Sequence, residues 1–80
     1  MDLREVRSSV LAAVGYDHDR KVLEVRFRTG RIYHYFDVPY AAYEKLLAAP
    51  SAGKHFNKVI RPRFRAELVY DPKRAARLLR

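Results

Sequence analysis

Lys54, Lys58, Arg61, Arg63 and Arg65 crowd one short stretch of this chain. The two lysines are four residues apart, which on a helix places them on one face. The three arginines alternate around Pro62; if that stretch is extended, their side chains leave on one side. Together they could form a basic track suited to the phosphates of a single strand or an RNA backbone. The same residues could equally be a solvated rim around an apolar core. Just upstream, Ser51-Ala52-Gly53-Lys54 offers a capped helix start, a glycine that lets a ligand approach and an adjacent ammonium, a combination suited to phosphate or carboxylate. It lacks the upstream glycine and strand of a nucleotide-binding loop. The plainer reading is an ordinary helix start with Gly53 packed on a neighbouring element.

Tyr33 and Tyr35 could stack nucleobases, with Arg26, Arg28 and Arg31 supplying charge beside them. They could also be core tyrosines whose hydroxyls reach the sheet edge. The histidines His18, His34 and His55 show no metal-ligand spacing and no accompanying carboxylate or cysteine cluster. No nucleophile elbow is present. A non-catalytic protein without metal or cofactor is expected.

The composition favours a polyanion. Seventeen Lys and Arg stand against nine acidic residues, a net charge of +8 with a pI near 10.2. Such a field attracts nucleic acid and speeds encounter, although excess charge also serves solubility alone. Eighty residues, 49% hydrophobic, make one domain with one modest core. Without cysteine, neither disulfides nor thiolate metal sites can support it. Charges interrupt every apolar run and the N-terminus shows no secretory signal, so no membrane span and a cytoplasmic location are expected.

These side chains need elements to position them. Met1–Arg7 reads as a loose lead-in. Val10–Val14, followed by Gly15, Asp17 and Asp19, reads as a strand. Leu23, Val25 and Phe27 alternate with Glu24, Arg26 and Arg28, the pattern of a half-buried strand, and Thr29-Gly30 turns the chain back into Arg31–Phe36. A two-residue loop would force β-branched Thr29 to positive φ, whereas a three-residue loop, Arg28-Thr29-Gly30, asks this of Gly30 alone. The longer loop places Tyr33 opposite Val25 and Tyr35 opposite Leu23, on the apolar face, with Ile32, His34 and Phe36 on the other. The shorter loop would turn both tyrosines outward. Asp37 or Val38 is expected to cap a helix with Pro39 in its first turn and Tyr40, Tyr43, Leu46 and Leu47 along one stripe, ending at Pro50. Ser51 caps a second helix in which Ala52, His55, Phe56, Val59 and Ile60 line one face and Lys54 and Lys58 lie on another, and Pro62 ends it. Glu67–Tyr70 is expected as a short strand, and Asp71-Pro72 opens a basic helix over Lys73–Arg80.

Ser8-Ser9-Val10, Val14-Gly15-Tyr16-Asp17, Leu23-Glu24-Val25-Arg26-Phe27 and Gly30 resemble the first half of the KTSC domain. Tyr33-His34-Tyr35 with Val38-Pro39 resembles its central Tyr-x-Tyr signature, and Ser51-Ala52-Gly53-Lys54-His55-Phe56-Asn57 with Ile60-Arg61 its closing motif. The order and spacing of these motifs, from Ser8 to Leu68, are more specific than any one of them. The family is named for the C-terminus of some lysyl-tRNA synthetases and also occurs as free-standing small bacterial proteins. RNA binding is the function usually suggested for it, so the resemblance implies a binding domain.

The expected architecture is α+β: a three-stranded antiparallel β-meander, two helices and a short basic C-terminal helix. Residues 1–7 are the lead-in, 8–70 the KTSC-like domain and 71–80 the extension. The expected function is nucleic-acid binding, RNA before DNA, along the basic track with little base specificity. The competing expectation is a protein partner or a second copy of the chain. Either would use the Ile32, His34, Phe36 face or the two unpaired edges of a three-stranded sheet.

Overall fold

The alternation of Leu23, Val25 and Phe27 against charged neighbours sets the frame of the molecule in a computed structural model, which describes residues 1–78. β1 (Leu3–Glu5), β2 (Leu11–Asp17), β3 (Val22–Phe27), β4 (Ile32–Tyr35) and β5 (Ala66–Tyr70) form one antiparallel sheet in the order β1-β2-β3-β4-β5. α1 (Tyr40–Ala48) and α2 (Ala52–His55), which continues as a π-helical turn over Phe56–Ile60, lie between β4 and β5; α3 (Pro72–Leu78) follows. The α+β class and antiparallel sheet match expectation.

The sheet is larger than the expected three-stranded meander. Leu3–Glu5 is not a loose lead-in but pairs with β2, Leu3 opposite Gly15 and Glu5 opposite Ala13. β5 returns after the helices to pair with β4. The edges of the three-stranded core are therefore covered, and β1 and β5 are the edges of the sheet.

The β3–β4 turn follows the three-residue solution. Gly30 takes φ 94°, its N–H donates to the Phe27 carbonyl at 2.9 Å, and the Phe27 N–H donates to the Arg31 carbonyl at 2.9 Å. Leu23 then faces Tyr35, and Val25 faces Tyr33. Both tyrosines lie on the face that α1 and α2 cover. Leu11, Val14, Tyr16, Leu23, Val25 and Tyr35 pack there against Val38, Tyr43, Leu46, Ala52, Phe56 and Ile60. The Phe56 ring meets Tyr35 and Phe27 edge-on at centroid distances of 5.4 and 5.5 Å, an orientation that matches positive ring edges to negative faces.

The first helix starts later than expected. Asp37 is held at φ 55°, so neither Asp37 nor Val38 caps it; Pro39 does, without a side-chain bond. Val38 is instead fully buried, its N–H donating to the Lys21 carbonyl at 3.0 Å and its carbonyl accepting from the Tyr16 hydroxyl at 2.6 Å. Burial raises the Tyr16 pKa, and neighbouring Asp17 adds to the effect. Ser51 caps α2 as expected, its Oγ accepting the Lys54 N–H at 3.3 Å. Asp71 caps α3, accepting the Lys73 N–H at 3.0 Å with Pro72 at the first helical position. The last two positions of the helix expected over Lys73–Arg80 lie outside the described residues.

Candidate nucleic-acid interface

Between Glu44 and Glu67 the chain carries no acidic residue, yet it carries Lys45, Lys54, Lys58, Arg61, Arg63 and Arg65. The last five are all exposed. Among the described residues none of these five forms a salt bridge. Lys54 and Lys58 stand on the solvent side of α2 and the π-helical turn, whose other side buries Phe56 and Ile60. The Arg61 guanidinium donates to Asn57 Oδ1 at 3.3 Å. Its charge also bears on Tyr35, whose pKa is raised by burial and only partly drawn back by Arg61.

The route of this segment differs from expectation. Residues 61–64 form a turn rather than an extended stretch. Arg61 is helical at φ −56° and ψ −46°, its N–H bonded to the Phe56 carbonyl, and the Arg63 and Phe64 N–H groups both turn back to the Ile60 carbonyl. The three arginines therefore do not project together from one strand. Lys54 and Lys58 lie in the helical layer, Arg61 and Arg63 at the turn, and Arg65 beside the sheet, opposite Phe36. There the Phe36 N–H donates to the Arg65 carbonyl at 2.9 Å and the Arg65 guanidinium lies 4.5 Å from the Phe36 ring centroid.

The hairpin arginines have partners within the protein. Arg26 Nε is 2.9 Å from Glu24 Oε2, and the other oxygen of that carboxylate lies 2.7 Å from His34 Nε2. Arg28 donates to the Ser8 carbonyl at 3.1 Å and the Val6 carbonyl at 3.4 Å, tying the segment after β1 to the hairpin. Arg31 Nε lies 3.7 Å from Asp71 Oδ2, beside the α3 cap. For Glu24, burial raises the pKa, but the His34 and Arg26 contacts outweigh it and the carboxyl ends below its ordinary value. The Glu24–His34 pair was readable in advance: the three-residue turn puts the two residues directly opposite on the uncovered face.

Tyr33 and Tyr35 are turned toward the helices, half-buried and buried, and present no stacking surface beside the hairpin arginines. Ala52 and Gly53 are buried, and a Cβ added at Gly53 would stand 2.9 Å from Ser8 Oγ. Ser8 Oγ itself accepts the Val10 and Leu11 N–H groups. The space that the Ser51-Ala52-Gly53-Lys54 anion site needs over its glycine is thus filled by Ser8. His18 packs against the Tyr16 and Tyr40 rings, and among the described residues no His, Asp and Glu cluster could hold a metal ion.

Against this fold and these motifs, the family model described as the KTSC domain matches residues 7–64. The chain belongs to the KTSC domain family. The crystal structure of a KTSC domain protein from Yersinia pestis is similar at a TM-score of 0.83 and 33% identity, covering 86% of this chain and 97% of that one. A protein from Tsukamurella paurometabola is 42% identical over 64 residues, 80% of this chain and 96% of that one. A lysine–tRNA ligase of Nostoc punctiforme is 38% identical over 65 residues, 81% of this chain but 12% of the ligase. The KTSC match ends before β5, so both edge strands of the sheet, β1 and β5, lie outside the matched residues.

Proposed function

We propose that this KTSC protein is a non-catalytic binding module for RNA. It holds the phosphate backbone along Lys54, Lys58, Arg61, Arg63 and Arg65, with little regard for base sequence. The observation that carries this reading is that these five exposed cations follow one another in an acid-free segment and, among the described residues, have no carboxylate partner. Cations without internal partners are available to displace condensed counterions, the source of backbone affinity. RNA is favoured over DNA because homologous segments occur in proteins named for a tRNA substrate.

The test is binding of labelled single-stranded RNA, tRNA and DNA across a salt series. Replacing Lys54, Lys58 and Arg61 by Ala should flatten the log–log salt dependence by roughly 0.7 per lost contact, about two in all. An unchanged slope overturns the assignment of the segment.

A protein partner at the β5 edge is the second reading, favoured by Val69 and Tyr70 at 46% and 45% exposure. The register shift where β5 passes Ile32 and Tyr33 opposes it, because a bulge disrupts regular pairing at an edge. Mass that rises with concentration, without salt-sensitive RNA affinity, would favour that reading.

A further inference from the structure

The basic segment ends on a ring. Phe36 and Arg65 stand one residue beyond the Tyr35–Ala66 pair that begins the β4–β5 ladder, with the Phe36 N–H donating to the Arg65 carbonyl, so the backbone holds the two residues as neighbours. Phe36 is half-buried, and its alternation with buried Tyr35 puts it on the sheet face that α1 and α2 leave uncovered. The Arg65 guanidinium lies over that ring at 4.5 Å from its centroid. Arg65 is exposed and has no carboxylate partner among the described residues.

We propose that Phe36 is a nucleobase-stacking platform and that Arg65 is its removable cover, so that the ligand is single-stranded RNA with an unpaired base at this point. The proposal rests on the RNA-binding reading and names the form of RNA the site takes. A planar cation over an aromatic face occupies the position a base would take, since both meet the ring's π surface. When a base takes that place, the guanidinium is released on the strand side of the ring, where the backbone carrying that base runs. It then contributes one phosphate contact to the series that begins at Lys54. Double-stranded RNA keeps its bases stacked inside the helix and cannot reach the ring, so the platform selects for unpaired nucleotides. Stacking is tolerant of base identity, which fits a backbone-led binder.

The test uses the full chain and a short single-stranded oligoribonucleotide carrying one 2-aminopurine, compared with its duplex. Phe36→Leu keeps an apolar side chain and removes the π face; Arg65→Lys keeps the charge and removes the planar cover. Phe36→Leu should weaken single-strand binding at least about fivefold, the lower end of what losing one base–aromatic stack produces. It should also abolish 2-aminopurine quenching and leave duplex affinity and salt slope unchanged. Arg65→Lys uncovers the ring while keeping the charge, so it should bind the single strand more tightly than the parent protein and quench more fully, a readout that stands even should the Phe36 variant melt early; no gain in either would overturn Arg65 as the cover. If Phe36→Leu binds and quenches like the parent, or weakens single strand and duplex alike, the platform is overturned while the basic segment stands. If the parent protein binds neither RNA above physiological salt, the underlying reading falls with it.

Discussion

Two groups of cations with the same chemistry lead different lives in this protein. Arg26, Arg28 and Arg31, on the β3–β4 hairpin, are engaged with Glu24, two backbone carbonyls and Asp71. Lys54, Lys58, Arg61, Arg63 and Arg65, on the segment from α2 to β5, have among the described residues no salt-bridge partner. A net charge of +8 does not distinguish them. Part of an excess of basic residues can be internal architecture, and the remainder is the part open to a polyanion. Arg28 belongs to the first group, since its guanidinium donates to the Ser8 and Val6 carbonyls.

The sharpest way to break this contrast is to remove the same charge from each group. Ala at Lys54, Lys58 and Arg61 should cost affinity for RNA in steps, with a salt slope flatter by about two, and leave the urea midpoint nearly unchanged. Ala at Arg26, Arg28 and Arg31 should leave the slope within about 0.7 of the parent value, a single contact's worth, and lower stability. Equal losses of slope from both triples would show that only overall charge matters.

Gly53→Ala should destabilise the protein by about 1–2 kcal/mol, the cost of forcing a methyl into a packed contact, because Ser8 Oγ stands 2.9 Å from the new Cβ and is already committed to two N–H groups. Thermal melting measures it. A stable variant that loses phosphate-dependent binding would revive the anion site at Ser51–Lys54. Arg28→Ala alone should cost about 1 kcal/mol in a urea titration, the worth of exposed bonds from a charged donor, without altering RNA affinity.

The smallest effect belongs to Glu24. Its folded pKa lies below its unfolded value, so the folded state binds the proton less tightly. The contribution is present in full above the unfolded carboxylate range and fades as pH falls through the folded pKa. Glu24→Gln should therefore remove a few tenths of a kcal/mol at neutral pH, the scale of a partly exposed pair, and flatten the acid limb of stability against pH. An acid limb unchanged by the substitution would assign the pH dependence to other carboxylates.

Much of the fold was legible because local rules agreed. Thr29 resists positive φ and Gly30 accepts it, and that one turn fixed which face Tyr33 and Tyr35 share. Ser51, Pro50 and Asp71-Pro72 marked helix boundaries for similarly local reasons. β1 was not legible: Leu3, Arg4 and Glu5 are all exposed, so no apolar alternation betrays the strand, although its partner β2 is the next strand along the chain. The turn at 61–64 was missed because proline's restriction on the preceding residue was given the last word; in the fold Arg61 stays helical, held by its bond to Phe56. The cation positions could be read, but which ones had partners could not, because Ser8, Val6 and Asp71 reach the hairpin only in three dimensions.

The pairing of β4 with β5 joins Tyr35 to Ala66 across the whole helical excursion. β2, β3 and β4 are linked by short turns and can zip locally, whereas β5 can dock only after a loop of some thirty residues has closed, at an entropic cost of about 3 kcal/mol from the length-dependent term alone. Its edge position leaves it with one hydrogen-bonded neighbour. Amide protons along Glu67–Leu68 should consequently exchange with solvent earlier than those along Val22–Val25, through partial openings that leave the hairpins intact. Each such opening separates Phe36 from Arg65, so the rate at which the ring is uncovered becomes a property of the strand's breathing.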